Sequence, residues 1–144
     1  IGFQDFHTRA HIYRALIGGL AFALQSGRER TERRTKTPIT CIRLSGGGAQ
    51  SDYVAQIIAD VLNLPVERFE DCEASGRGAA MIGAAAMGWY SSIEAAAEQM
   101  VGTPTRIHPN PDAVPTYHAI YEQLYQPLYR QLKSLFSRQQ SLPN

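Results

Sequence analysis

The sequence has almost no net charge, only two cysteines and no long apolar run. Its 14 Lys and Arg balance 13 Asp and Glu to a formal net charge of +1, so a general electrostatic attraction to nucleic acid or to an anionic membrane is excluded. The longest uncharged, largely apolar run covers 79–93, is rich in Ala and Gly, and is too short to cross a bilayer. We therefore expect a cytoplasmic protein that binds neither nucleic acid nor membranes.

The two cysteines have neither the spacing of metal ligands nor the number of a disulfide framework. Cys41 falls on a predicted strand and is expected to be buried. Cys72 lies between Asp71 and Glu73, whose negative charge disfavours the thiolate, so it is a poor candidate for a nucleophile.

The remaining composition is that of an ordinary globular protein. Hydrophobic residues make up 44% and charged residues 19%, which excludes a disordered tail and a fibrous repeat. A chain of 144 residues has the size of one domain or of a large piece of one. It begins at Ile1 without a basic and apolar leader, and we expect it to be cut from a longer protein.

Hydrophobic periodicity and breaker residues predict alternating helices and strands. Predicted helices cover 8–36, 51–62, 76–89, 92–100 and 114–136, and predicted strands cover 39–44 and 66–69. Thr8 and Ser92 are the predicted N-caps of two helices, and Pro127 should kink or break the last one. This order predicts an α/β fold that is helix-rich, with a short incomplete sheet, because two strands cannot form a full sheet.

Two of these helices are expected to pack tightly against other elements. The helix after Thr8 is apolar on nearly every side, which is typical of a helix between two layers. Its Gly18-Gly19 pair costs helix propensity, about 1 kcal/mol for each residue, and suggests close approach of another backbone. The helix at 76–89 consists mainly of Ala, Gly and Met, which also predicts close packing. The charged stretch 27–36 is either a solvated helix end or a patch that binds phosphate or nucleic acid.

The segment from Ser45 to Asp52, SGGGAQSD, is the sharpest local signal. It joins a predicted strand to a predicted helix. Three successive glycines let a ligand approach the backbone closely, and the N–H groups at the start of the next helix favour anionic or polar ligand atoms. The segment is neither a Walker loop nor a GxGxxG dinucleotide motif. By itself it is either a nucleotide loop or a tight packing turn.

Four stretches, in this order, carry a family resemblance. They are HTRAHIYRALIGGLAFAL (7–24), IRLSGGGAQSDYVAQIIADVLNLPVE (42–67), GRGAAMIGAAAMGWYSSIEAAAEQMV (76–101) and HPNPDAVPTYHAIYEQLYQPLYRQL (108–132). They resemble the C-terminal domain of the FGGY carbohydrate kinases. The resemblance implies that 1–144 form the C-terminal part of that domain, which has an actin-like, RNase H-like ATPase fold. It also implies a parent enzyme that uses ATP and Mg²⁺ to phosphorylate a sugar or polyol. The sugar or polyol would bind to an N-terminal domain that is missing from this chain.

The same resemblance assigns adenosine contacts to the glycine loop. The candidate nucleotide-binding residues are Gly46, Gly47, Gly48, Ala49, Gln50 and Asp52. Gly47, Gly48 and Ala49 would line the adenine and ribose through their backbones. Gln50 stands where many members have Lys or Arg, which removes a cation from the phosphate side. Asp52 stands where some members have an adenine-contacting Asn, and as an ionised carboxylate it could only accept hydrogen bonds.

No catalytic residue is expected in this chain, because the family places the catalytic base and both phosphate loops before residue 1. The leading hypothesis is therefore a fragment of a sugar kinase that is inactive alone. The alternative is a non-catalytic interaction module of the actin-like superfamily, whose uncovered sheet edge and helix faces would form a homo-oligomer. A third reading, another actin-like ATPase, fits the flanking helices less well.

Two further clusters have ordinary structural interpretations. His7 and His11 have the i, i+4 spacing of metal ligands, but no third ligand is clear. Tyr117, Tyr121 and Tyr125 form an i, i+4 ladder, which suits a packing face better than a base-stacking surface.

Overall fold

The computed structural model describes residues 2–70 and 73–140. Its elements along the chain are α1 (Arg9–Thr35), β1 (Ile42–Leu44), a 3₁₀ turn (Gly47–Gln50), α2 (Asp52–Leu62), β2 (Val66–Arg68), α3 (Ala74–Ala86), α4 (Ile93–Met100), β3 (Thr105–Ile107), α5 (Val114–Ile120), a π-helical turn (Tyr121–Tyr125) and α6 (Gln126–Gln140). The predicted helices and the first two strands are present, although β1 begins three residues later than predicted, at Ile42.

The three strands form one small mixed sheet in the order β1-β2-β3. β1 and β2 are parallel and β2 and β3 antiparallel, so Val66 is paired with Ile42 on one side and Ile107 on the other. The prediction of only two strands is wrong. β3 has the sequence TRI and lies between Pro104 and Pro109, and so short a run carries no readable alternation of polar and apolar residues.

Charge pairs join the central strand to both neighbours on one face of the sheet. Glu67 is paired in register with Arg43 of β1 and Arg106 of β3. Its two carboxylate oxygens lie 3.1 Å from Arg43 Nε and 3.1 Å from Arg106 Nη2. Oppositely charged residues directly across a sheet stabilise their pairing, so Glu67 favours this register on both sides.

The helix α2 supplies most of the core and covers the other face of the sheet. Its buried residues are Ala55, Ile57, Ile58, Ala59, Asp60, Val61 and Leu62. The apolar residues among them form one cluster with Val66, whose side chain is fully buried. Ser51 caps the helix by accepting the Val54 N–H at 3.4 Å, and Asn63 ends it in the left-handed conformation with φ +48°.

One face of α1 packs on α2 and on the tyrosine ladder. Ile17, Ala21 and Phe22 belong to the same core cluster as α2. The Phe22 ring lies 5.8 Å from that of Tyr121 and 5.3 Å from that of Tyr125. The ladder is therefore a packing face, as the sequence indicated.

The opposite face of α1 is exposed, which corrects the prediction of a helix between two layers. Leu16, Leu20 and Leu24 are 64%, 69% and 47% exposed. Gly18 lies on the buried side of the helix, but a Cβ atom built on Gly18 or Gly19 meets nothing within 4 Å, so no other element of the described residues occupies the space that a side chain would need at this pair. An all-round apolar pattern reports what a helix could bury, whereas only the neighbouring elements decide what it does bury.

The small residues of α3 are also less tightly packed than predicted. In this helix only Met81 and Ala84 are buried among the described residues, and Gly76, Gly78 and Gly83 have open space where a Cβ would lie. Ala and Gly permit close packing, but their presence does not mean that another element packs against the helix.

Pro127 neither breaks nor ends the last helix, because a π-helical turn precedes it. The backbone N–H of Gln126 donates to the carbonyl of Tyr121, five residues earlier. A proline ring in a regular α-helix clashes with the carbonyl four residues before it, here that of Gln123. The wider π turn over Tyr121–Tyr125 absorbs this strain, and α6 continues to Gln140.

Cys41 is the residue directly before β1, and it is half-buried. The prediction of a buried cysteine within the strand is therefore wrong. Cys72 lies outside the described residues. Among the helices of 2–70 and 73–140, none is long and apolar enough to span a bilayer.

Candidate functional site

The glycine loop lies between the end of β1 and the start of α2. Gly46 has φ +79°, a conformation that L side chains rarely adopt, so the turn itself requires glycine at this position. The chain then makes one 3₁₀ turn over Gly47–Gln50 and enters α2 at Asp52 through the cap Ser51. This strand–turn–helix path is the one predicted for the SGGGAQSD segment.

Gly47 and Gly48 form an open, side-chain-free surface. Both are exposed, and a Cβ built on either meets nothing within 4 Å. Neither has a positive φ, so the backbone conformation does not demand glycine at these two positions. What the missing side chains provide is room above the backbone, next to the first N–H groups of α2.

The other predicted binding residues divide between the surface and the interior. Gln50 and Asp52 are exposed beside the two glycines. Ala49 is 2% exposed, so its side chain points into the core and only its backbone is near the loop surface. The turn is held by a hydrogen bond from the Ala49 N–H to the Gly46 carbonyl, 3.0 Å.

A residue that the sequence analysis missed, Arg68, binds this loop. Its Nη1 donates to the carbonyl of Ala49 at 3.1 Å, and its Nη2 donates to the carboxylate of Asp52. The signal that could have found it is the strand period: Arg68 lies two residues after the buried Val66, so both point towards the face that α2 covers.

The one buried aspartate of the described residues, Asp60, is held by hydrogen bonds within the fold and is not directed at the glycine loop. Asp60, 6% exposed, accepts from Gln56 Nε2 at 2.8 Å and from the Asn110 N–H at 2.7 Å. Asp5 and Asp112 are exposed, and Asp71 lies outside the described residues.

His7 and His11 pack on one another instead of converging on a common point. Their rings meet edge to face with centroids 5.5 Å apart, and the Thr8 N–H donates to His11 Nδ1 at 3.1 Å. Among the described residues no group of three His, Cys, Asp or Glu side chains is placed to hold a metal ion.

A cavity of about 680 Å³ lies away from the loop, between the second half of α1 and α6. Its lining includes Arg30, Arg33, Arg130, Tyr129 and Phe136. It contains no residue of the glycine loop, so it is separate from the candidate site.

Comparisons with known proteins match this chain to kinases of carbohydrates. Residues 1–87 match the model described as the FGGY family of carbohydrate kinases, C-terminal domain. The chain is 33% identical over 135 residues to a xylulose kinase of Bacillus subtilis (strain 168), covering 94% of this chain and 27% of that protein.

Solved structures give the same result for the fold. The chain is similar to the xylulose kinase from Rhodospirillum rubrum with a TM-score of 0.78 and 27% identity, over 95% of this chain and 28% of that one. It shares the fold of Plasmodium falciparum glycerol kinase, solved with ADP, with a TM-score of 0.70 and 19% identity, over 88% of this chain and 26% of that one. The predicted α/β, actin-like ATPase fold is therefore confirmed.

The chain spans about a quarter of the length of these relatives, 27% of the Bacillus protein and 28% of the Rhodospirillum one. Within that span the match is nearly continuous, and it includes the strand, the glycine loop and α2. Because the family model covers 1–87 and a third of the aligned residues are identical to a curated relative, this chain belongs to the FGGY family of carbohydrate kinases.

Proposed function

We propose that this chain supplies the adenosine-binding part of a kinase that transfers the γ-phosphate of ATP to a hydroxyl of a sugar or polyol. Family membership supports the reaction class. The glycine loop supports the position of the nucleotide, since it combines an open backbone surface with the N-terminus of an eleven-residue helix.

The observation that carries the proposal is the open space above Gly47 and Gly48. A planar adenine and its ribose need a surface without side chains to approach the backbone, and a Cβ at either glycine would project into that space without touching another atom. The N–H groups at the start of α2 add donors that favour polar ligand atoms.

The remaining parts of the reaction are assigned outside this chain. Phosphoryl transfer depends mainly on positioning and charge neutralisation, and the proposal places the catalytic base and the sugar contacts in the part of the relatives' length that this chain does not span. Mg²⁺ would neutralise charge on the phosphates, but the described residues offer no three-ligand group for a metal. We therefore assign no Mg²⁺ ligand to this chain and expect no turnover by it alone.

A cytoplasmic location is part of the proposal, because that compartment suits both the use of ATP and a free thiol at Cys41.

The test is a titration of the chain with ADP, followed by amide NMR, on the wild type and two glycine variants. ADP should shift the signals of 46–52 in the wild type. Gly48→Val should abolish these shifts and change the free energy of unfolding by no more than about 0.5 kcal/mol, because the added side chain enters free space. Gly102→Val, at another exposed glycine with open space, is the matched control and should leave the shifts intact.

Two results would refute the proposal. One is a wild-type chain whose loop signals do not respond to ADP at any attainable concentration. The other is phosphorylation of xylulose or glycerol by this chain alone, which would place the catalytic base within it.

The exposed apolar face of α1 favours a second function, pairing with another copy of this chain. Leu16 and Leu20 are 64% and 69% exposed on that face, and apolar surface of this kind drives association when it is contiguous. Light scattering would decide: a dimer that Leu20→Glu dissociates and that ADP does not affect favours an interaction module over the kinase role.

A further inference from the structure

Arg68 binds two points in the second half of the glycine loop with a single guanidinium group. One nitrogen binds the carbonyl of Ala49 at 3.1 Å, inside the 3₁₀ turn. Another binds the carboxylate of Asp52, in the first turn of α2. The backbone between these two contacts is the part of the loop that leads into the helix.

The sheet explains why Arg68 reaches this loop. Arg68 is paired with Leu44, the last residue of β1, and parallel strands end at the same edge of a sheet. The loop leaves β1 at that edge, so the end of β2 lies beside it. On the other side Arg68 is paired with Thr105 of β3, which holds its backbone between two neighbours.

The chemistry of the contact suits a clamp. The guanidinium group is planar and carries several N–H donors in a fixed arrangement, so it can bind two acceptors at once. The side chain of Arg68 is only 21% exposed, whereas that of Asp52 is 83% exposed. The hydrogen bonds of a charged donor that is largely shielded from water are stronger than neutral ones.

The loop needs such a restraint because of its composition. Gly46, Gly47 and Gly48 lose more conformational entropy on ordering than other residues do. A backbone hydrogen bond from Ala49 to Gly46 closes the start of the turn, but a 3₁₀ turn this short is weakly stable by itself. Without a further contact, the open conformation of the loop would be only one of many conformations that the three glycines can adopt.

We propose that Arg68 is a positioning residue that holds the glycine loop in its open form by binding Ala49 and Asp52 together. It acts on the loop and not on a ligand. The main role of Asp52 is then to be the partner of Arg68, not to contact adenine. The inference rests on the proposed function only for its effect on nucleotide binding, because the restraint itself exists without a ligand.

The restraint is tested by amide hydrogen exchange of the nucleotide-free chain, read at the Ala49 N–H. Arg68→Met should raise the exchange rate of Ala49 by about tenfold or more, since it removes charge-assisted hydrogen bonds to the buried Ala49 and to Asp52. Arg68→Lys keeps the charge but cannot bind both acceptors in the same geometry. The exchange rate of Ala49 in this variant should therefore lie between those of the wild type and Arg68→Met. Asp52→Ala should also raise the rate, and Asp52→Asn, which keeps an acceptor oxygen, should raise it less.

Arg106→Met is the matched control. Arg106 lies on β3 and binds Glu67, not the loop. Arg106→Met should leave the exchange rate of the Ala49 N–H unchanged. Unchanged exchange at Ala49 in both Arg68→Met and Asp52→Ala would overturn the inference. If Arg68→Met does not fold, Arg68→Lys and Asp52→Ala decide it by the same criterion.

ADP titration of the same variants separates this inference from the proposed function. A wild-type chain that does not bind ADP overturns the proposed function, while the exchange rates still decide the restraint. If the wild type binds ADP, Arg68→Met should weaken binding by the factor by which the population of the restrained loop falls. Gly48→Val should abolish binding without raising the exchange rate of Ala49, because both contacts of Arg68 remain in place. Binding unaffected by Arg68→Met would show that the restraint does not serve the nucleotide.

Discussion

The carboxylate of Asp60, on α2, accepts a hydrogen bond from the backbone N–H of Asn110, fifty residues further along the chain, at 2.7 Å. The same oxygen accepts from Gln56 Nε2 at 2.8 Å, and Gln56 Nε2 also donates to the carbonyl of His108 at 2.9 Å. These bonds attach the turn before α5 to the helix that follows the glycine loop. They therefore couple the last third of the chain to the candidate site.

Asp60→Ala is expected to lower the free energy of unfolding by about 1–3 kcal/mol, because it leaves two donors without their acceptor. Asp60→Asn, which keeps an oxygen in place, should cost less. The measurement is the midpoint of urea unfolding at constant m-value. Asp112→Ala, at an exposed aspartate of the same turn region, is the control and should change the midpoint little. Equal midpoints for Asp60→Ala and Asp112→Ala would contradict the structural role of Asp60.

Tyr121→Ala is expected to be among the most destabilising single changes in the chain. Tyr121 is 3% exposed and its ring lies 5.8 Å from Phe22 and 5.8 Å, stacked, from Tyr125. Removing a buried aromatic ring from a core costs about 3–5 kcal/mol. Tyr129→Ala serves as the control, because Tyr129 is 69% exposed. Thermal and urea unfolding of the two variants should differ strongly. A small effect of Tyr121→Ala would mean that α1 and the π-helical turn do not pack as described.

The carboxyl group of Glu94 is expected to titrate below its ordinary range. Its own backbone N–H and the hydroxyl of Ser92 both hydrogen-bond the charged form, and they lower the pKa of Glu94. A carboxyl whose pKa is lower in the folded chain stabilises the fold above its unfolded pKa, and this contribution is lost as the pH falls through the folded value. The group is fully exposed, so we expect a small effect that NMR titration, not unfolding, will resolve.

Ser92→Ala should raise the pKa of Glu94 part of the way towards its ordinary value, because the backbone hydrogen bond remains. Ser91→Ala is the control, since Ser91 is the exposed neighbour. A Glu94 carboxyl that titrates at or above its ordinary value in the wild type would contradict this arrangement at the start of α4.

Several local features were readable from the residues. Ser92 was predicted to cap α4, and it accepts the Ala95 N–H at 3.1 Å. The helix predicted at 51–62 is α2, Asp52–Leu62. Capping and periodicity depend on residues within one or two turns of each other, so a sequence window contains all the information they need.

Features that depend on distant partners were missed or wrong. The pairing of β3 with β2 and the contact of Arg68 with Ala49 both join residues that are far apart in sequence. The exposed face of α1 depends in the same way on which elements lie nearby. No local pattern of residue types specifies these.

By itself the sequence determined the order of the main helices and the first two strands, the position of the glycine loop and, through its likeness to known kinases, the family. These follow from local backbone preferences and from residue types in fixed order. Only the tertiary structure decided that Arg68 lies beside the loop, that Ala49 points inward and that one side of α1 stays uncovered. The physical reason is that such contacts form when separate segments meet across the sheet, and their stability comes from partners that no short stretch of sequence contains.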